Sequence, residues 1–250
     1  MFEAVVSLCL GLSGEPCRDQ LLPGYEAPTK AACQTEFASR PPDIEALALL
    51  GTLGQPECKP LGETLVVEEV ATGVFAHAGL IEEPDTRNRG DVANLGFIVG
   101  EASVAVIDGG SARWMGEAVW RAIRARTDKP VSHVILTHMH PDHVLGLAPL
   151  VQADTQVVSN ARLPRALADR QANYVESLDR LIGSEVFLGT VPVAVTVPVE
   201  SSVVIDLGGR VLELRAWPMA HTGTDLTVLD RETGTLFAGD LVFNRHTPAL

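Results

Sequence analysis

Residues 137–143 read Thr-His-Met-His-Pro-Asp-His, directly after the apolar run Val134-Ile135-Leu136. Three imidazoles and a carboxylate thus fall within six positions. Neutral imidazole nitrogen and carboxylate oxygen are the donors that a borderline ion such as Zn²⁺ accepts. The β-branched stretch Val131–Thr137 is patterned as a buried strand, Pro141 breaks regular structure after it, and the run from Val144 starts as a helix. The cluster therefore sits on a strand-to-helix turn, where neighbouring side chains diverge. His138 and His140 can grip one ion while Asp142 and His143 grip another. Such a turn constrains the fold strongly, because distant segments must be brought to one edge of a sheet.

Two segments complete the constellation. His221 lies in Met-Ala-His-Thr-Gly-Thr-Asp, between the strand-like runs 211–214 and 226–229, as a loop-borne third ligand for the first ion. Asp240 ends the apolar strand Thr235-Leu236-Phe237-Ala238-Gly239. Its two oxygens can bridge two ions, and Gly239 leaves room for that close approach. His133 and His77 alternate with apolar neighbours in strands and read as structural.

Asp108 at a strand end, Thr-His-x-His-x-Asp-His, a lone His and then Gly-Asp follow one another in an order that resembles the metallo-β-lactamase superfamily over about residues 64–250. The resemblance implies an α/β (α+β) fold, a four-layer αβ/βα sandwich. It implies a first ion on His138, His140 and His221, a second on Asp142 and His143, and Asp240 between them. Asp108 matches a buttressing acid beneath the site, although a plain turn role fits it as well, and Thr137 belongs with it in the support. The stretches Met1–Val6, Cys9, Pro16-Cys17, Leu22–Glu26, Ala32-Cys33 and Asp240–Pro248 are similar to one subgroup, the quinoprotein relay system zinc metallohydrolases. That similarity implies a partner in a quinoprotein dehydrogenase system. In one respect the chain departs from the pattern: members carry a further His well after the bridging Asp. Here His246 is the only histidine after Asp240 and reads as structural or substrate-facing. The expectation is a domain truncated at its C-terminus, with a weak second ion.

The function this implies is hydrolysis of an ester, thioester or amide by water made nucleophilic on one or two zinc ions, with Asp142 orienting that water or taking its proton. Two alternatives stand beside it. One is a mono-iron sulfur-compound oxygenase on the same fold, with iron as the metal. The other is a non-catalytic metal-binding accessory protein.

The net charge of −13, with no Lys/Arg-rich stretch to offset it, argues against a nucleic-acid partner and for a small-molecule substrate. The group Arg121, Arg124, Arg126 and Lys129 reads as the solvated face and C-terminal end of a helix. No apolar run approaches membrane-spanning length. All four cysteines, Cys9, Cys17, Cys33 and Cys58, fall in the first quarter of the chain. They suggest a small disulfide-stapled module over residues 1–60 and an oxidising, exported setting such as the periplasm, with three pairings open. A Cys₄ metal site lacks its usual Cys-x-x-Cys pairs. The run Val5–Leu12 reads as a strand, since Glu3 and no basic residue precedes it, so a leader for export would lie upstream or have been removed. Further along, Asp43 is expected to cap a short helix, and Ser111 to cap a helix through about Ala125. Residues 162–182 are expected to form one helix, which carries Tyr174. The loop Glu82–Asp91 reads as a solvated hairpin or a flap over the site.

Overall fold

The structure, a computed structural model, describes residues 1–11 and 16–244. His246 lies outside the described residues. The first 60 residues build their own sheet from β1 (Phe2–Cys9), β2 (Cys17–Ala27), β3 (Thr52–Leu53) and β4 (Glu57–Pro60), with helices α1 (Lys30–Ser39) and α2 (Glu45–Ala48). β1 runs antiparallel to all three partner strands. It is buried on both faces: Ala4, Val6 and Leu8 join Leu22, Tyr25, Cys33 and Leu47 in a small core of their own. The cysteines are disulfides, Cys9–Cys17 across the β1/β2 end and Cys33–Cys58 between α1 and β4. Such links stabilise a core this small chiefly by restricting the unfolded chain. α1 is absent from the sequence reading for a physical reason: it buries only Cys33 and presents no apolar stripe. Thr29 starts it by accepting from the Ala32 N–H. Asp43 accepts from the Glu45 N–H, yet α2 lasts only one turn.

The remainder is a mixed α/β sandwich. β5 (Glu68–Ala71), β6 (Val74–His77), β7 (Leu95–Val99), β8 (Val104–Ile107), β9 (Val131–Ile135), β10 (Gln156–Asn160) and β11 (Val197–Val199) form a seven-stranded sheet in that spatial order. β8 to β11 are parallel, so their C-terminal ends share one edge. β12 (Ser202–Asp206), β13 (Val211–Ala216), β14 (Leu226–Asp230) and β15 (Leu236–Phe237) form an antiparallel second sheet. Alternation along β8 shows how the layers are made. Ala105 and Ile107 face the second sheet and meet Leu212, Leu214 and Val228, while Val104 and Val106 face the helices. The helices are α3 (Arg113–Arg124), α4 (Pro141–Val144), α5 (Leu163–Ala168), α6 (Gln171–Ile182) and α7 (Ser184–Phe187). Among the described residues no helix covers the outer face of the second sheet, and Val204 and Leu236 there are 53% exposed.

Three sequence expectations are corrected. The helix over 162–182 is broken into α5 and α6 by the turn at Asp169-Arg170, where Arg170 leaves helical φ. Ser111 does not cap α3; its hydroxyl donates to the Gly90 carbonyl and pins the 82–91 loop to the helix start. The basic group does mark the C-terminal end of α3, with Arg121 and Arg124 in its last turn and Arg126 exposed, but its side chains are committed rather than simply solvated. Arg121 pairs with buried Glu3 at 2.8 Å, Arg124 and Arg126 lie over Trp120 and Phe75, and Lys129 donates to the Gly100 carbonyl.

α3 joins the two parts of the chain. Glu117, 1% exposed, accepts from Arg18 of β2 at 2.7 Å and from Arg113 at 3.0 Å, and takes the Leu21 N–H as well. At the neighbouring position, Gly116, the helix meets Gly146, just past the metal turn, backbone to backbone. A side chain at Gly116 would place its Cβ 1.8 Å from the Gly146 carbonyl oxygen, and one at Gly146 would lie 1.9 Å from that of Gly109. Gly116→Ala should therefore lower stability by about 1–3 kcal/mol, the usual cost of forcing extra volume into a packed contact. Its urea midpoint should fall accordingly; an unchanged midpoint would show that helix and turn do not touch this closely.

Candidate metal centre

The centre lies where β8, β9 and β15 end and β14 begins. β8 stops at Asp108, whose backbone takes φ +60°, a conformation rare for any residue but glycine and costly enough to need support. The support is the hydrogen bonding of its buried carboxylate. Asp108 accepts from the Thr137 N–H at 2.8 Å, from the Thr137 hydroxyl at 2.7 Å and from His143 Nδ1 at 2.8 Å. The Thr137 hydroxyl directs its proton to Asp108, so its oxygen accepts from His138 Nδ1, 3.0 Å away. Each imidazole is thereby held with Nδ1 as the donor and Nε2 turned into the site.

The second sheet supplies the other side. The Leu226 N–H donates to the Thr137 carbonyl, and Asn160 Nδ2 donates to the Asp225 carbonyl. Asp225 closes the loop bearing His221 by accepting from the N–H and hydroxyl of Thr222. Asp240 follows β15, and Gly239 before it has φ +53°. A Cβ at 239 would stand 2.7 Å from the Thr137 Cβ, so only glycine allows the carboxylate this close.

The residues expected to bind metal converge. One donor atom each from His138, His140, His221 and Asp240 lie within 4.8 Å of one another. His140 Nδ1 is 3.1 Å from His138 Nε2 and 3.0 Å from His221 Nε2. Nitrogen lone pairs aimed together at this distance repel unless a proton or cation lies among them. Asp240 faces two ways: Oδ2 is 3.7 Å from His221 Nε2 and 4.0 Å from His138 Nε2, while Oδ1 is 3.5 Å from His143 Nε2. His143 Nε2 is also 3.5 Å from Asp142 Oδ2.

Electrostatics separates the two halves. Burial, with the neighbouring imidazoles, holds His138 well below the usual histidine range, so it is neutral as a ligand must be. Burial opposes charge on His143 too, but Asp142, Asp108 and Asp240 outweigh it and push its pKa up to about 10. Three carboxylates that hold a proton so firmly form a field that attracts any cation. The donor chemistry, the facing lone pairs and this field all fit a divalent metal ion.

Other expected residues lie elsewhere. His133 is a strand residue beside Ser132, and His77 bonds Val66 and Asp91 at the root of the 82–91 loop. A 310 Å³ cleft at the opposite edge is lined by Phe75, Arg126, Lys129 and Arg210, with Arg210 committed to Asp230 at 2.6 Å. Asp225 and Asn160 were not singled out from sequence. The Thr-Gly-Thr-Asp spacing after His221 signals a side-chain-closed turn and could have found Asp225; nothing local marks Asn160.

The sequence pattern of the Metallo-beta-lactamase superfamily matches residues 88–250, nearly two thirds of the chain. The chain belongs to the metallo-beta-lactamase superfamily. Its fold agrees with solved members. A metallo-beta-lactamase from Pontibacter korlensis superposes with a TM-score of 0.57 at 17% identity, covering 74% of this chain and 75% of that one. The metallo-beta-lactamase IND-7 gives 0.54 at 16% identity, covering 73% of each. The stereoselective inverting sec-alkylsulfatase Pisa1 from Pseudomonas sp. gives 0.52 at 17% identity over 67% of this chain, which spans only 30% of that enzyme. These similarities show the fold alone. A search of curated proteins found no match. As a superfamily member, the chain carries a His/Asp cluster suited to metal and implies hydrolase-type chemistry. Among the described residues no helix is long and apolar enough to cross a membrane.

Proposed function

We propose that this metallo-beta-lactamase superfamily member is a zinc-dependent hydrolase of an ester, thioester or amide. The observation that carries the reading is the convergence of His138, His140, His221 and Asp240, from both sheets, on one point. His138, His140 and His221 would hold the first ion, with Asp240 turned toward both halves. Asp142 and His143 would hold a second, more weakly, because among the described residues they and the shared Asp240 give it fewer donors of its own. When bound, such an ion acidifies water and polarises a carbonyl.

The chain's own groups do the rest. Asp108 and Thr137 hold His138 and His143 with Nε2 turned inward. Asp142, its side chain 25% exposed beside His143, would orient the attacking water and accept its proton at Oδ2. The two disulfides support an exported, oxidising setting, and we place the protein in the periplasm. The terminal sequence similarity supports a link to a quinoprotein dehydrogenase system. The domain division 1–60 and 64–250 belongs to the same proposal.

Protein purified without added metal should contain zinc rather than iron and should hydrolyse generic thioesters or β-lactams. Dialysis against a chelator should abolish turnover and added Zn²⁺ should restore it. Hydrolysis that survives metal removal would end the reading.

A further inference from the structure

Among the described residues, five acidic side chains belong to residues at most 2% exposed: Glu3, Asp108, Glu117, Asp225 and Asp230. Three of them meet arginines: Glu3 pairs with Arg121, Glu117 with Arg18 and Arg113, and Asp230 with Arg210. Asp108 meets His143. Asp225 has no Arg, Lys or His partner among the described residues. Its carboxylate accepts only from neutral donors of one residue. The Thr222 N–H donates to Oδ2 at 2.9 Å and to Oδ1 at 3.1 Å, and the Thr222 hydroxyl donates to Oδ1 at 2.6 Å. A buried carboxylate without a counter-charge costs stability, and an amide of the same shape would make similar contacts without that cost.

The position of Asp225 supplies a reason for the charge. Thr222 follows His221, so the amide that Asp225 holds belongs to the peptide unit on the ligand's own Cα. By covalent geometry, Asp225 Oδ2 lies within about 5.5 Å of that Cα. The Asp225 backbone is fastened to the other sheet. Asn160 Nδ2, at the end of β10, donates to the Asp225 carbonyl at 3.0 Å. The next amide, that of Leu226, donates at 2.7 Å to the Thr137 carbonyl, one residue before His138. Asp225 therefore stands between the two ligand-bearing loops, with its carboxylate on the His221 side and its backbone tied to the His138 side.

We propose that Asp225 is a positioning residue for the first metal ion. Its carboxylate sets the backbone of His221, Asn160 fixes Asp225 against the seven-stranded sheet, and the cation held by His138, His140 and His221 supplies the counter-charge that no described side chain gives it. This rests on the metal-binding part of the function proposed above and not on turnover. A group that supports a metal ligand ordinarily contributes about 10–100-fold to metal affinity. A buried charge that awaits a cation adds a second signature: its removal should weaken the loaded protein and not the metal-free one.

The test titrates Co²⁺ into chelator-treated protein. Affinity is read by competition with a chelator, coordination by the visible absorption of bound Co²⁺, and stability by the urea midpoint of the metal-free protein. Asp225→Asn keeps an acceptor for the Thr222 N–H, and the Thr222 hydroxyl can turn to Thr224 Oγ1, 3.0 Å away. The metal-free variant should therefore unfold at or above the wild-type midpoint, yet hold Co²⁺ at least about tenfold more weakly. Asp225→Ala, which also releases the Thr222 amide, should in addition shift the Co²⁺ absorption bands. Asn160→Ala should weaken Co²⁺ by the same route, so the double variant Asn160→Ala/Asp225→Ala should lose clearly less than the product of the two single losses. Co²⁺ affinity unchanged by Asp225→Asn would overturn the proposal. So would a metal-free Asp225→Asn protein that unfolds well below wild type, because the carboxylate would then be an ordinary structural group. Losses that multiply in full would overturn the part given to Asn160. Wild-type protein that takes up no Co²⁺ would overturn the proposal together with the metal reading, whereas wild type that binds it beside an unaltered Asp225→Asn removes the proposal alone.

Discussion

His140→Ala is expected to leave a folded protein that no longer retains metal and no longer turns over substrate. His140 Nδ1 stands about 3 Å from both His138 Nε2 and His221 Nε2, at the middle of the donor set. Its ring is partly exposed and carries little of the core, so the sandwich survives its removal. Loss of a hydrogen bond that merely supports a ligand costs about 10–100-fold in metal affinity or activity. Removal of a ligand should cost more than that, and the metal content of purified protein, measured by elemental analysis, should fall in parallel with kcat/KM. The wild type should retain one ion firmly through dialysis and a second only in excess Zn²⁺. Full activity and undiminished metal in the variant would mean that the convergence of His138, His221 and Asp240 does not mark the reactive centre.

Glu117→Ala is expected to be the most destabilising single change outside that centre. The carboxylate is 1% exposed and is ion-paired with both Arg18 and Arg113. Taking one partner from a buried ion pair leaves an uncompensated charge and costs about 3–5 kcal/mol, even where a well-packed apolar replacement of the whole network would cost little. The unfolding midpoint in urea is the measurement, and a loss below about 1 kcal/mol would show that the two arginines find other partners. The pH dependence has a definite sign. Burial opposes the charge on Glu117, but Arg18 and Arg113 outweigh it and hold its pKa below the ordinary value of 4.5. A group depressed in the folded state binds fewer protons there than in the unfolded chain. Its contribution is therefore complete above about 4.5 and is lost as the pH falls through the lower, folded value. Glu117→Gln should flatten the acid limb of the stability curve relative to wild type.

What could be read from the sequence follows from where each piece of chemistry lies along the chain. His138, His140, Asp142 and His143 are contiguous, and their donor types name a metal without any fold. His221 and Asp240 are legible because each follows or separates strong β patterns. The fold class followed from strands and helices in a specific order, and the family match and the superposed structures agree with it. The supports are harder to see. Asn160 reaches the Asp225 carbonyl across 65 residues, and no local pattern marks it. Ser111 looked like a helix cap because Ser before an amphipathic run usually is one, but the tertiary partner Gly90 claimed its hydroxyl. Arg121 was assigned to solvent because nothing near it in sequence reveals Glu3, 118 positions away. The disulfide pairing, likewise, is set by the β1/β2 register, which puts Cys9 opposite Cys17, and by α1 packing on β4, which brings Cys33 to Cys58.

His138 and His140 ride on the seven-stranded sheet, whereas His221 and Asp240 are carried by the four-stranded one. An ion gripped by all four would act as a clasp across the seam between the layers. The two layers could then part only by surrendering it, so proteases that enter through the 217–240 stretch should find the loaded protein closed to them and the stripped one open.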